Sequence, residues 1–309
     1  ASMFGLTVYA LFGTSNTLSV APVAVISLMT AAALGKLSLD GSEQAVAAAM
    51  TLAFLSGGFL LLLGLLRLGF MANFLSHPVI SAFITASAII IGVSQLQHLL
   101  GISASGQNII ELLMSLSQSL SDANGITFGL GIGAILLIVW CKTGLRRGLL
   151  ALGMNARIAT TVSRSGPLLV AIIMASLAFL LRLDQQGVQL LGDVPKGLPG
   201  LTAPDFSLDL VNSLLGSAAL ISIIGFVESI SVAQTLAARR RERIDLDQEL
   251  VGLGASNIAV SFGGGFPITG GFSRSVVNFE AGAATPAAGL FTAMLIAVVT
   301  LFLTPVLYW

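Results

Sequence analysis

The chain has 309 residues, 55% of them hydrophobic and only 9% charged, and its 14 basic and 14 acidic residues cancel. Its mean hydropathy is +0.97, whereas a soluble domain carries about 25% charged residues, so this surface is built to face hydrocarbon. A net charge of zero supplies no global field for nucleic acid. The single Cys141, set in an apolar run, has no intrachain partner for a disulfide and reads as a packing residue.

A bilayer span needs roughly 20 mainly apolar residues, and about ten runs are candidates. Ala1 to Phe12 is short and lacks the basic start and cleavage motif of a signal peptide; it reads as the end of a helix that begins outside this sequence. Pro22 to Leu34, Val46 to Leu66, Pro78 to Leu100, Ile126 to Cys141 and Pro167 to Leu181 follow. Asn108 to Ser121 spaces Ile109, Leu112, Leu113, Leu116 and Leu120 as an amphipathic helix lying at the interface. Asp184 to Asp205, with Pro195, Gly197, Pro199, Gly200 and Pro204, is a loop that divides the chain into halves, 1–183 and 206–309. Leu210 to Ala238, Leu250 to Phe262, Gly270 to Ala281 and Ala287 to Trp309 complete the set. The expected fold is therefore an all-α polytopic membrane protein.

Basic residues set orientation. Arg67, Lys142, Arg146, Arg147, Arg157, Arg164 and the cluster Arg239, Arg240, Arg241 and Arg243 alternate onto one side, expected to be cytoplasmic. That cluster reads as a topological anchor, with an anionic-lipid contact as the alternative. Lys36, Arg182 and Lys196 fall opposite, among the acidic Asp40, Glu43, Glu111, Asp122, Asp184, Asp193, Asp205 and Asp209. The basic residue left inside a predicted span is Arg274.

Ionisable residues within a membrane point to function, and Glu228 and Arg274 stand out. Glu228 shares a helix face with Ser231 and Thr235, at i+3 and i+7. A carboxyl there can take up a proton or a cation such as sodium; the alternative is a structural ion pair with Arg274. Arg274 follows the glycine- and proline-rich stretch from Gly263 to Gly271, which breaks a helix. Such a break is tolerated in a membrane only where the backbone is buried or lines a cavity. Ser273 is a candidate N-cap. The short helix after it would aim free N–H groups and a positive dipole end at a ligand, and Arg274 adds a planar fork suited to oxyanions. The stretch lacks the Gly-Lys-Ser/Thr ending of a nucleotide-binding P-loop.

A second break lies at Thr17 to Ala24. Ser19-Val20 alternates like a short strand, and Pro22 is placed as the first residue of a helix. Two interrupted segments in corresponding places of two halves mark a transporter site; the alternative is two unrelated kinks. The stripe Ser81, Thr85, Gly92 and Gln95 reads as helix packing. His77 and His98 are too far apart for a metal site, and no Ser-His-Asp or Cys-His set points to an enzyme.

At Tyr9 to Ser15, Leu18 to Val25, Gly225 to Ala233 and Gly271 to Ser275 the sequence resembles the SulP family of sulfate permeases and related anion transporters. The resemblance covers the whole chain. It implies fourteen membrane segments in two inverted repeats of seven, a core domain moving against a gate domain, homodimers and a cytoplasmic STAS domain. It also implies that the chain starts within the second segment and lacks the last three. The family's third and tenth segments are half-helices enclosing the anion. Carried over, they place Ser19, Ala21, Pro22 and Val23 opposite Phe272, Ser273, Arg274 and Ser275, with Glu228, Ser231 and Thr235 at the position associated with proton or sodium coupling. The expected function is coupled transport of a small oxyanion, sulfate first, across a bacterial plasma membrane, without an organic cofactor. Bicarbonate, a C4-dicarboxylate, a channel and a non-transporting anion-binding protein are the alternatives.

Overall fold

Hydrocarbon offers the backbone no hydrogen-bond partners, so a chain of this composition must bond to itself, and it does so with helices. The computed structural model describes residues 1–37, 41–74, 77–104, 106, 109–190, 197 and 200–303. Asp40, Asn108, Asp193, Pro195, Lys196, Pro199 and the end of the last apolar run from 304 lie outside the described residues, as do the side chains of His77, Ser81 and Arg164.

In chain order the elements are α1 (Ser2–Phe12), β1 (Val20–Ala21), α2 (Ala24–Leu34), α3 (Ser42–Leu65), α4 (His77–Leu100), α5 (Ile109–Gln118), α6 (Gly125–Trp140), α7 (Arg146–Ala151), α8 (Ala156–Arg164), α9 (Gly166–Leu181), α10 (Leu208–Arg240), α11 (Leu246–Phe262), β2 (Thr269–Gly270), α12 (Phe272–Ala281) and α13 (Ala287–Val298). Among the described residues three stretches are long and apolar enough to cross a bilayer unaided: Ser42–Leu65, Gly125–Ala151 and Leu208–Arg240; α8 and α9 together make a fourth. Some of the other apolar runs are short helices. At about 1.5 Å per residue, α2 and α12, with 11 and 10 residues, reach about half of a hydrocarbon core of roughly 30 Å.

The chain divides into two units: Ala1–Ala88 with Gly197–Leu301, and Ile89–Lys196 with the chain from Phe302. The first draws on both halves expected from the sequence. Its core gathers Tyr9 of α1, Val20 of β1, Leu60 of α3, Phe226 and Leu236 of α10, and Leu250, Leu253 and Val260 of α11. A second cluster joins Ile26 of α2 to Ala48 and Leu52 of α3 and to Leu214, Ala218 and Ile221 of α10.

In the second unit, Leu112 and Leu116 of α5 pack beside Ile102, which is the apolar spacing read from the sequence. Asn124 caps α6, accepting from the N–H groups of Ile126 and Thr127. Phe128, Ile132, Ile135, Leu136 and Val139 of α6 are all exposed, as expected of a helix whose solvent is lipid. Cys141 is buried, and its carbonyl accepts from Ser163 Oγ at 2.7 Å.

Helices in a membrane associate closely where small residues meet, and α3 and α11 cross at Gly57 and Gly254. A Cβ on Gly254 would stand 2.7 Å from the backbone nitrogen of Leu61 and 2.8 Å from the Gly57 carbonyl oxygen. On Gly58, one residue along, it would meet nothing within 4 Å. Gly254→Ala is expected to cost about 1–3 kcal/mol by overpacking, and Gly58→Ala nothing. Thermal unfolding of the detergent-purified protein checks this; equal midpoints for the two variants would remove the close crossing as a source of stability.

Candidate functional site

The two broken segments meet. β1 and β2 pair antiparallel, with Val20 opposite Gly270 and Ala21 opposite Thr269. Because the strands run in opposite directions, the half-helix that follows each one leaves the other way, and both helix starts lie at the strand pair. The first-turn N–H groups of α2 and α12 have no acceptor within their own helices. Two positive dipole ends therefore converge on one place.

Side chains extend the ladder where two-residue strands run out. Ser19 N–H donates to Ser275 Oγ at 2.9 Å, Ser275 Oγ donates to the Gly271 carbonyl at 2.6 Å, and Gly271 N–H returns to the Ser19 carbonyl at 3.1 Å. From α10, Ser229 Oγ accepts from Gly270 N–H at 2.8 Å and lies 2.6 Å from Thr269 Oγ1. Thr269 Oγ1 in turn bonds the Gly225 carbonyl at 2.6 Å. A carbonyl only accepts, so Thr269 donates to it and Ser229 donates to Thr269. The bonds then form one directed chain from α10 into β2. Gly225 permits the approach, since a Cβ there would stand 3.3 Å from Thr269 Oγ1.

Arg274 lies across the gap. Its Nη2 donates to the Pro22 carbonyl at 2.6 Å, and its side chain folds back over Gly271, where an added Cβ would come within 3.2 Å of Nη2 and 3.3 Å of Val23. Phe272, Ser273 and Arg274 are exposed at this front, Pro22 and Val23 half-buried, and Ser19, Ala21 and Ser275 buried. The far end of α12 is held by Arg240, whose guanidinium donates to the Phe279 and Ala283 carbonyls and stacks 4.6 Å from the Phe279 ring centroid. One arginine of the supposed topological anchor is thus a helix C-terminal cap.

Two local readings are corrected. Ser273 is not the N-cap: Gly271, extended at φ −91° and ψ 133°, caps α12 without a side-chain bond, because its N–H already belongs to the strand pairing. Pro22 is not the first helical residue. Val23 is the extended N-cap of α2, and the Pro22 carbonyl serves Arg274. No ion pair joins Glu228 to Arg274 among the described residues. Glu228 Oε2 is buried with no hydrogen-bond partner among the described residues. Ser231 and Thr235 share its helix but donate to the Val227 and Ser231 carbonyls at 2.6 and 2.7 Å, so their hydroxyl protons stay on α10.

Three residues that the sequence reading passed over complete the frame. Ser229 holds β2 as described. Asn257 of α11 accepts from Ile268 N–H at 2.8 Å and donates to the Ile268 carbonyl at 3.0 Å. Glu249, fully buried on α11, receives Tyr9 Oη at 2.7 Å, Thr14 N–H at 2.7 Å, Thr14 Oγ1 at 2.6 Å and Ser15 N–H at 2.9 Å. Asp245 signals this, because an N-cap there draws Glu249 inside a helix whose small residues, Gly252 and Gly254, call for close neighbours.

The chain is thus a helical membrane domain in which two half-helices start at one strand pair and an arginine reaches from one start to the other. The chain belongs to the sulfate permease family, whose sequence model matches residues 1–309. It is 36% identical over 299 residues to sulfate transporter 4.1, chloroplastic, of Arabidopsis thaliana, covering 96% of this chain and 42% of that protein. It is 30% identical over 302 residues to a probable sulfate transporter of Mycobacterium tuberculosis, covering 98% and 51%. The chain thus spans about half the length of the curated relatives it matches. Its fold matches the transmembrane domain of the cyanobacterial bicarbonate transporter BicA with a TM-score of 0.80 at 23% identity, over 99% of this chain and 75% of that one. It matches SLC26A9 with a TM-score of 0.83 at 22% identity, over 99% and 49%. These are membrane domains of the inverted-repeat fold.

Ser275→Ala would leave the buried Ser19 N–H without an acceptor, at a cost of about 1–3 kcal/mol. Ser273→Ala, at an exposed position, is expected to stay within about 0.5 kcal/mol of the parent. Unfolding midpoints of the two variants in one detergent check this pair, and an unaffected Ser275→Ala would show that the crossing bond carries no stability.

Proposed function

We propose that the protein containing this chain is a secondary active transporter of a small oxyanion, sulfate first, which binds between the starts of α2 and α12. One observation carries the reading: Arg274 reaches across the paired strands to the Pro22 carbonyl, so its guanidinium already stands where two helix dipoles converge. A neutral carbonyl is a weaker acceptor for arginine than a doubly charged oxyanion. An arriving anion takes over part of that fork and meets the first-turn N–H groups behind it, with Phe272 and Ser273 at its front. The sulfate transporters among the relatives favour sulfate; the bicarbonate transporter of the same fold makes bicarbonate the rival.

Coupling falls to Glu228. Its Oε2 has no hydrogen-bond partner among the described residues, which leaves it open to a proton or a sodium ion, and the next residue along α10, Ser229, is bonded to β2. Occupancy at the carboxyl thus has a one-residue path to the strand that aims α12. The two units match in number the core and gate of an alternating-access mechanism, and the basic loops favour a plasma membrane with the arginine cluster inside.

Flux of labelled sulfate, bicarbonate and fumarate into liposomes bearing the full-length protein, with and without pH and sodium gradients, tests the reading. Sulfate uptake that follows one gradient is expected; no binding and no flux of any of the three would sink it. Arg274→Ala should weaken sulfate binding roughly 10- to 100-fold, the worth of hydrogen bonds to a charged group, in a protein that still folds; unchanged affinity would remove Arg274 from the site. Glu228→Gln should keep sulfate binding and lose the response to the driving gradient, and retained gradient dependence would make that carboxyl structural.

A further inference from the structure

A buried carboxylate is costly unless hydrogen bonds satisfy it, so a fully buried glutamate that receives four donors is there for its geometry. Glu249 grips Thr14 and Ser15 on one side of α11. Ser15 Oγ passes the hold on by accepting from Leu18 N–H at 3.2 Å, at the threshold of β1. Two turns further along the same helix, Asn257 bonds both backbone groups of Ile268, at the threshold of β2. Eight residues of helix set these grips about 12 Å apart along the axis. The helix between them cannot slide, because it is locked to α3 at Gly57 and Gly254.

We propose that α11 is the ruler that fixes the spacing between the two half-helix starts, and that Glu249 and Asn257 are specificity-determining positioning residues that set which oxyanion fits. Neither touches the anion. The proposal rests on the reading that an anion binds between those starts.

The full-length protein in liposomes, with every native cysteine replaced by serine, Cys141 among them, and spin labels on Ala24→Cys and Ser273→Cys, reports the distance between the two helix starts by dipolar broadening. Sulfate and bicarbonate KM are measured on the same variants without labels. Glu249→Gln and Asn257→Ala are expected to change the label distance. They should also shift the sulfate-to-bicarbonate KM ratio about tenfold or more, since misplacement by about 1 Å is enough for such losses. Tyr9→Phe, which removes a single bond to Glu249, is the milder variant if Glu249→Gln fails to fold, and should shift both readouts in the same direction. Ser256→Ala, whose hydroxyl donates to the Gly252 carbonyl of its own helix, should shift neither. An unchanged label distance, or a changed distance with an unchanged KM ratio, would overturn the proposal. A wild type that binds no anion would instead sink the reading of the site, and the label distance alone would then decide for or against the ruler.

Discussion

A helix interrupted at mid-membrane exposes N–H and C=O groups to a medium that cannot bond them, at several kcal/mol for each orphan. This chain interrupts two helices and brings the breaks together, so that each supplies what the other lacks. Val20 and Ala21 pair with Gly270 and Thr269. Ser275, Ser229 and Asn257 close the groups that the ladder leaves over. The first-turn N–H groups of α2 and of α12 have no acceptor within their own helices, and the proposed anion would bind there. The site is the residue of a hydrogen-bonding problem that is otherwise solved.

The charged groups in these apolar surroundings divide by how completely they are satisfied. Glu249 has four donors and acts as a fixed post. Arg240 is held at the end of α12 by two carbonyls and an aromatic ring. Arg274 donates to one carbonyl and has an exposed face, and Glu228 Oε2 has no hydrogen-bond partner among the described residues. A group already bonded on all sides has little to gain from a ligand. Arg274 and Glu228 have capacity left, and they lie on α12 and α10, the two helices that flank β2.

Much of this was legible in the sequence. Composition gives the membrane, and the glycines before Arg274 and the proline at 22 give the breaks. A basic residue left over from the loops, Arg274, gives the proposed site its charge. The family resemblance on Gly225 to Ala233 and Gly271 to Ser275 is upheld by the match over residues 1–309. The helix starts were misjudged by two residues at Pro22 and at Ser273, because strand pairing, a contact between Val20 and Gly270, captured backbone groups that local rules assign to a cap. The same distance hid Glu249. Next to an apolar run it reads as the acidic start of a helix, and only its meeting with Tyr9, Thr14 and Ser15, far back in the chain, makes it a buried post. Ser231 and Thr235 lie on the same helix as Glu228, and their hydroxyls turn to their own backbone, as these side chains do in helices.

Selenate, a sulfate analogue whose anomalous scattering marks its position in a crystal, gives the most direct test of where the anion binds. A selenium peak within hydrogen-bonding reach of the Arg274 guanidinium and of the first-turn N–H groups of both α2 and α12 is expected. A peak elsewhere in the fold, with Arg274 still on the Pro22 carbonyl and the two helix starts unoccupied, would contradict it.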